Sequence, residues 1–254
     1  MLKNIYKLLE TCRTGDSRFP PTILYNEGWM LRLVLDWFSN HPDIVHKLAI
    51  PQDSKWYSEA ELPSAFLPRY RGDKYGEGYT HADGVIGQFQ IGKSGDADIS
   101  LLPQTNRFVV IEAKMFSKLS PGTTRAHYYN QAARNVACMT EVIRLAGISL
   151  DQLKAVGFYV LAPKERIDAG IFKKPMDKNS IKEIVKIRVD EYDEPKEEWF
   201  NQTFMPCLDI IDIGILDWES IIKFICDIDK PVEDALTSYY SLCIKYNAKV
   251  ANKY

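Results

Sequence analysis

Apolar and polar positions along the chain change period several times, and each period predicts a type of element. Residues 25–39 carry an apolar stripe at helical spacing, and Asn40 and Pro42 end this pattern. A second stripe runs from about 125 to 146 and stops at Gly147, which predicts a long helix. The stripes consist of Met30, Leu33, Val34, Trp37 and Phe38 in the first helix, and of Tyr128, Ala132, Val136, Met139, Ile143 and Ala146 in the second.

The glycine-rich middle of the chain has the pattern of short strands. Seven of the fourteen glycines lie between residues 72 and 95, which suits tight turns and not helices. Residues 103–106 predict a hairpin connection between the second and third of these strands. The predicted strands are residues 83–91, 97–102 and 107–116, with a later buried strand at 155–163.

The last part of the chain predicts one more strand and two helices. The strand is predicted at 207–216, and the helices at 218–228 and 231–248. Pro231 suits the first turn of the second helix, because its fixed φ is compatible with a helix start.

The order of helix, three strands, helix and strand predicts an α/β fold with a mixed central sheet flanked by helices. We expect residues 1–165 to form this core, with a long loop inserted at 51–80 that contains three prolines. Residues 166–254 are then an additional C-terminal α/β region packed on the core.

Composition restricts the class of protein. The chain has 254 residues, of which 46% are hydrophobic and 26% charged, as in ordinary globular proteins. It has no apolar run of the ~20 residues that a membrane span needs, and its N-terminus lacks the pattern of a secretory signal. The five cysteines are scattered without a CxxC pair, so we expect neither a disulfide framework nor a zinc site, and a cytoplasmic location.

The net charge of −2 gives no overall attraction to nucleic acid, so any such binding depends on local clusters. Arg69, Arg71 and Lys74 form one basic cluster, and Arg125 and Arg134 are further candidates for phosphate contacts. The alternative for each of the five is an ordinary solvated surface charge.

Residues 87–94, GQFQIGKS, match the nucleotide-binding pattern GxxxxGK[ST]. A phosphate-binding loop needs small residues in the turn and a helix directly after it. Here the variable positions alternate like a strand, and strand-forming sequence follows Ser94. An ATPase that uses this loop is therefore the least favoured of our hypotheses.

Strand periodicity in residues 107–116 places two charged side chains on an otherwise apolar strand. Burying such a pair without compensation costs several kcal/mol, of order ~3–5 when one partner is missing, so a functional reason is expected. Val109, Ile111, Ala113 and Met115 face one side, and Phe108, Val110, Glu112 and Lys114 face the other.

The predicted hairpin brings Asp98 of the preceding strand beside Glu112. Two adjacent carboxylates repel unless a cation lies between them, and Mg²⁺ or Mn²⁺ is suited to carboxylate oxygens and to substrate phosphate. The ion would activate a water molecule, while Lys114 would orient or deprotonate that water or stabilise the transition state. This hypothesis depends on Asp98, Glu112 and Lys114 meeting at one place.

An acid near a strand start, followed by hydrophobic-Glu-x-Lys, resembles the PD-(D/E)xK nuclease superfamily. The resemblance covers residues 22–163 and implies a restriction-endonuclease-like core. It implies that Asp98, Glu112 and the Ala113 carbonyl bind the metal ion, and that Lys114 is the catalytic lysine.

Four further positions bear on this resemblance. Ala97 stands where the family has proline, a small departure. Many relatives carry a metal-site carboxylate on the first helix, where Glu27 matches, although Glu27 also suits the helix dipole after an Asn26 cap. Gln131 resembles a polar residue that some relatives place near the metal, and a polar helix flank is its alternative. Asp83 is the second choice for the strand acid.

We therefore expect a metal-dependent nuclease, with DNA as the first hypothesis for its substrate and RNA as the second. A cut across both strands often needs two active sites, so a homodimer is compatible with this chemistry, although no residue supports it. The alternatives are an inactive nucleic-acid-binding protein of the same fold, and the ATPase.

Overall fold

A mixed five-stranded sheet is the centre of the structure, a computed structural model that describes residues 1–14, 16–93, 95–192 and 196–251. The strands are β1 (Lys55–Leu62), β2 (Thr80–Gly87), β3 (Phe89–Ile91), β4 (Ile99–Leu101), β5 (Arg107–Ala113), β6 (Ala155–Ala162) and β7 (Asp212–Asp217). The sheet has the order β1-β2-β5-β6-β7, while β3 and β4 form a separate two-stranded ladder. β2 pairs antiparallel with β1 and β5, whereas β5, β6 and β7 are parallel.

Helices cover both faces of this sheet. They are α1 (Leu2–Thr14), α2 (Glu27–Ser39), α3 (Gln131–Ala146), α4 (Lys164–Asp168), α5 (Lys178–Glu191), α6 (Glu197–Trp199), α7 (Met205–Ile210), α8 (Trp218–Ile228) and α9 (Glu233–Ala251). A π-helical turn, Phe200–Phe204, lies between α6 and α7. Short 3-10 turns lie at Pro21–Ile23, Leu150–Gln152 and Lys230–Val232.

The central strand β5 contributes to two hydrophobic cores, as its alternation predicts. Phe108 and Val110 are buried in one cluster with α3 and α5, while Val109 and Ile111 are buried in the other with α2 and α8. The α/β class and the mixed, helix-flanked sheet are therefore confirmed. β7, from the C-terminal part of the chain, hydrogen-bonds to β6 and completes the same sheet.

Local expectations are confirmed where a cap or a clear period marks the element. The Asn26 side chain accepts a hydrogen bond from the Trp29 amide and caps α2. Gly147 ends α3 in the left-handed conformation with φ 65°. α8 has the predicted bounds, 218–228.

Four expectations are wrong. β4 pairs with β3 and not with β5, because β2 and β6 already occupy both edges of β5. The 51–80 segment holds the edge strand β1, and is not a long loop. The apolar run at 207–216 divides into the end of α7 and the strand β7, because a short apolar run has no decisive period. The helix predicted from 125 begins only at Gln131.

Candidate active site

Glu112 lies at the end of β5 with a polar side-chain network around it, although it is only 1% exposed. Lys114 donates from Nζ to Glu112 Oε1 at 2.5 Å, and Gln131 donates from Nε2 to the same oxygen at 2.6 Å. Asn135, which is fully buried, places Nδ2 at 3.4 Å from Glu112 Oε2. Both oxygens of this buried carboxylate therefore have donors.

Asp83 is the acid that lies next to Glu112. The ladder between β2 and β5 ends at the pair Gly84–Ile111. Just beyond it the Ala113 amide donates to Asp83 Oδ2 at 2.7 Å, so a carboxylate replaces the backbone acceptor. The electrostatic influence of Asp83 reaches both Glu112 and Lys114. The second choice for the strand acid therefore lies beside Glu112.

Asp98 is not beside Glu112, so the predicted convergence is wrong in this residue. The backbone of Asp98 forms a bridge with Glu61 of β1, at the outer edge of the sheet. β1 and β2 thus lie between Asp98 and β5, a separation of about 14 Å for three inter-strand steps of ~4.8 Å. Its buried side chain accepts a hydrogen bond from the Gly95 amide at 2.5 Å. This contact gives Asp98 a role in a local turn.

The backbone of Lys114 is fixed by β6 and by the start of α8. The Lys114 amide donates to the Leu161 carbonyl at 2.8 Å, which continues the parallel ladder by one residue. The Lys114 carbonyl would next accept from residue 163, but Pro163 has no amide hydrogen. The indole of Trp218 supplies the donor instead, with Nε1 at 2.9 Å from the carbonyl oxygen. Trp218 is therefore a positioning residue that sequence analysis missed.

The site shifts the ionisation of its two central groups. Burial, and next the negative charge of Asp83, raise the pKa of Glu112, while Lys114 opposes this shift. Burial lowers the pKa of Lys114, but the charge and the hydrogen bond of Glu112 more than offset it, so the net pKa is raised. Lys114 is thus held as an ammonium ion beside a carboxyl group that resists ionisation.

Glu27, in the first turn of α2, faces the same charges. Burial raises the pKa of Glu27, while the positive charge of Lys114 lowers it and the negative charge of Asp83 raises it, so both charges act on this carboxyl group. The helix approaches β2 closely because Gly84 has no side chain: a Cβ there would lie 3.0 Å from Leu31 Cδ2. The two roles expected of Glu27, cap electrostatics and membership of the site, are compatible in this geometry.

Gln131 and Asn135 project from consecutive turns of α3 toward Glu112. The Gln131 backbone and side chain also make two hydrogen bonds with the Ser120 backbone, at 2.9 and 3.1 Å. These bonds fix the first turn of α3 against the loop that follows β5. Asn135 was missed by sequence analysis, although its spacing of four residues from Gln131, beside an apolar stripe, is a usable indication.

The arginines and lysine proposed to bind nucleic acid have different surroundings. Arg69 binds Asp73 through Nε at 2.8 Å and Nη2 at 3.1 Å, so it holds a loop together. Arg71, Lys74 and Arg125 are exposed. Arg125 donates to the carbonyls of Asp73 and Gly76, the latter at 2.9 Å. The exposed members of this set present their positive charges to solvent, where a nucleic acid could contact them.

Arg134 differs from these four, because it lies on α3 one turn after Gln131. It is half-buried and lines a cavity together with Arg125 and Arg188.

The chemistry of the oxygen donors fits a hard divalent ion such as Mg²⁺ or Mn²⁺. Asp83 and Glu112 are adjacent carboxylates with Glu27 near them, and Ala113 stands between Glu112 and Lys114. The Asn135 Oδ1 atom is buried without a hydrogen-bond partner among the described residues. Within that same part of the chain, however, no three acidic, histidine or cysteine side chains are arranged to hold a metal ion. Because Lys114 and Gln131 both donate to Glu112 Oε1, a metal ion bound to that oxygen would compete with both of them.

The nucleotide-loop pattern does not have the surroundings that its chemistry needs. Phe89–Ile91 form β3, and the next element after residues 95–98 is β4, a strand. Ser94, the last residue of the pattern, lies outside the described residues.

Comparisons with protein-family models, with curated proteins and with solved structures find no match for this chain. In the part of the chain that the structure describes, no helix is long and apolar enough to cross a membrane. All five cysteines are buried and unpaired.

Proposed function

We propose that this protein is a metal-dependent nuclease of the PD-(D/E)xK type, hydrolysing phosphodiester bonds in DNA in preference to RNA. The observation that supports it is the meeting of Asp83, Glu112 and Lys114 where β2 and β5 separate. A buried carboxylate such as Glu112, with a second, half-buried carboxylate and a lysine beside it, destabilises a fold unless the desolvated charges are matched. A catalytic role gives a reason for keeping it.

Each side chain has a distinct task in this proposal. Asp83 and Glu112, with Glu27 beside them, would hold one Mg²⁺ or Mn²⁺ ion, which supplies Lewis acidity toward a water molecule and the scissile phosphate. The raised pKa of Lys114 keeps it protonated at neutral pH, so it acts as a hydrogen-bond donor to developing negative charge and not as a general base. Gln131 positions Glu112 through its hydrogen bond to Oε1.

The test is cleavage of plasmid, linear duplex, single-stranded DNA and RNA with and without Mg²⁺ or Mn²⁺. We expect divalent-dependent degradation of DNA that falls at least ~100-fold in Lys114→Ala, the usual cost of losing one transition-state donor. The matched control is Lys93→Ala, which removes an exposed lysine of the nucleotide-loop pattern and should leave cleavage unchanged. Cleavage that survives Lys114→Ala, or that persists in EDTA, would contradict the proposal.

A second candidate is a nucleic-acid-binding protein without activity. It is favoured by one observation: Lys114 and Gln131 both occupy Glu112 Oε1, and the described residues hold no ready three-ligand group. Binding of DNA without cleavage in any divalent ion would select this candidate.

A further inference from the structure

A cavity of about 360 Å³ lies beside the candidate active site and is lined by more positive than negative charge. Three arginines, Arg125, Arg134 and Arg188, and one carboxylate, Glu77, line its wall. They come from the loop before α3, from α3, from α5 and from the segment before β2. The excess is two positive charges when all four groups are ionised.

Arg188 is the strongest indication that this cavity binds a ligand. Its side chain is only 2% exposed, and its guanidinium lies 4.7 Å from the centre of the Phe66 ring. One terminal nitrogen donates to the Tyr75 carbonyl, but Nε has no hydrogen-bond partner among the described residues. A buried charged donor without a partner is costly, and such donors are normally satisfied in proteins.

Two more polar atoms of the same wall lack partners among the described residues, one of them a donor and the other an acceptor. Within the described chain, Arg134 Nε and Glu77 Oε2 are also buried without hydrogen-bond partners. The other Glu77 oxygen accepts from the Ser64 hydroxyl. Arg125 is engaged with the carbonyls of Asp73 and Gly76, so it fixes the loop that forms one side of the cavity.

The cavity is also close to the candidate catalytic residues along two elements. Thr80, in its wall, precedes Asp83 by three residues of β2, about 10 Å at ~3.3 Å per residue. Arg134 follows Gln131 by three residues of α3, a rise of ~4.5 Å. A strand that reached the cavity with one end would pass the Asp83–Glu112 site within a few nucleotides.

We propose that this cavity binds the terminal phosphate of a nucleic-acid strand and thereby directs the candidate nuclease to strand ends. A phosphomonoester carries about −1.5 to −2 charges and three acceptor oxygens, which match two excess positive charges better than the single charge of an internal phosphodiester. Guanidinium groups bind such oxygens through paired N–H donors. The inference rests on the proposed nuclease function for its choice of nucleic acid.

The test is equilibrium binding of short single-stranded oligonucleotides to the full chain, by fluorescence anisotropy in EDTA so that no cleavage occurs. One pair of probes carries a 5′-phosphate or a 5′-hydroxyl with the dye at the 3′ end. A second pair carries a 3′-phosphate or a 3′-hydroxyl with the dye at the 5′ end. We expect one phosphorylated end to bind at least ~10-fold more tightly than its hydroxyl partner, the usual size of a charge-assisted contact.

Arg134→Gln should weaken binding of the phosphorylated probe far more than binding of the hydroxyl probe, and so remove this discrimination. Lys182→Gln is the matched control, because it removes one exposed charge from α5 outside the cavity and should keep the discrimination. Inorganic phosphate, added at constant ionic strength, should displace the phosphorylated probe from the protein and leave the hydroxyl probe bound. This competition needs no variant, and so it tests the proposal even if Arg134→Gln does not fold.

Equal binding of phosphorylated and hydroxyl ends by the unaltered protein would overturn the inference. An equal loss for every probe in Arg134→Gln would also overturn it, because it would show general electrostatic attraction. Failure of the nuclease proposal has a different result: end-dependent binding would persist in EDTA although no divalent ion supports cleavage.

Discussion

Two lysine–carboxylate pairs lie at opposite ends of the parallel strands of the central sheet, one near the end of β5 and one at the start of β7. The pKa of the carboxyl group is shifted in opposite directions in the two pairs. At one end Lys114 contacts Glu112 at 2.5 Å, with side chains 13% and 2% exposed. At the other end Lys47 contacts Asp212 at 2.8 Å, with side chains 48% and 51% exposed. The pKa of Glu112 is raised by burial and by Asp83, whereas the hydrogen bond from Lys47 lowers the pKa of Asp212.

The difference shows that a neighbouring lysine does not by itself decide whether the pKa of a carboxyl group is raised or lowered. Asp212 keeps access to water and gains a second donor from the Tyr159 hydroxyl at 2.8 Å. Glu112 has lost water and faces another carboxylate, so its charge is unfavourable despite a shorter ion pair. The Lys47–Asp212 pair is an ordinary surface contact, while the Glu112 site has the electrostatic imbalance that a bound cation would relieve.

The largest expected effect is on the free energy of unfolding when each of the two lysines is replaced in turn. At pH 8, Lys114→Met should lower the free energy of unfolding by about 3 kcal/mol, because it leaves a buried carboxylate without its partner. Lys47→Met should cost no more than about 1 kcal/mol, as an exposed pair does. Urea unfolding measures both. Similar costs for the two variants would contradict the contrast between the ends.

The cost of Lys114→Met should also shrink toward pH 5, because Glu112 can then hold a proton.

The pH dependence of the two carboxyl groups is opposite in sign. The folded pKa of Glu112 is raised, so its contribution to stability is present below the unfolded glutamate pKa of ~4.3 and is lost as pH rises through the folded value. The slope is at most about 1.4 kcal/mol per pH unit. The contribution of Asp212 is instead lost as pH falls below ~3.9.

Unfolding free energies of the unaltered protein and of Glu112→Gln between pH 5 and pH 8 measure this slope. Glu112→Gln should flatten the decline. A decline of the same size in both proteins would show that Glu112 is not its source.

The smallest expected change in stability tests whether the negative charge of Asp83 repels that of Glu112. Asp83→Asn should stabilise the protein without metal by about 1 kcal/mol, because it removes a like charge from Glu112. The amide oxygen can still accept from the Ala113 amide. Asp212→Asn, the control, should instead cost up to about 1 kcal/mol by weakening a favourable pair. Thermal unfolding in EDTA distinguishes the two, and a loss of stability in Asp83→Asn would contradict our account.

Much of the fold follows from local sequence, and what does not follow is long-range strand pairing. The Asn26 cap, the Gly147 stop and the alternation of β5 are local features, and each predicts its element. The choice of neighbour for β5 is not local. Residues 97–102 and 107–116 suggest a hairpin, but β2 takes that edge of β5 and leaves β4 to pair with β3.

The candidate site follows the same rule. Glu112 and Lys114 come from one strand, so their shared face could be predicted from period alone. The third member depends on which strand lies beside β5, and the sequence alone favours Asp98 over Asp83. Trp218 could not be foreseen, because its role follows from Pro163 lacking a donor at one position of β6.

Binding of Mn²⁺, followed by the electron paramagnetic resonance of the free ion, tests the central claim most directly. We predict that the unaltered protein binds Mn²⁺, that Asp83→Asn weakens binding at least ~10-fold, the usual loss for a ligand or its support, and that Asp98→Asn binds normally. No binding by the unaltered protein, or an equal loss in Asp98→Asn, would contradict the assignment of Asp83 and Glu112 as one metal site.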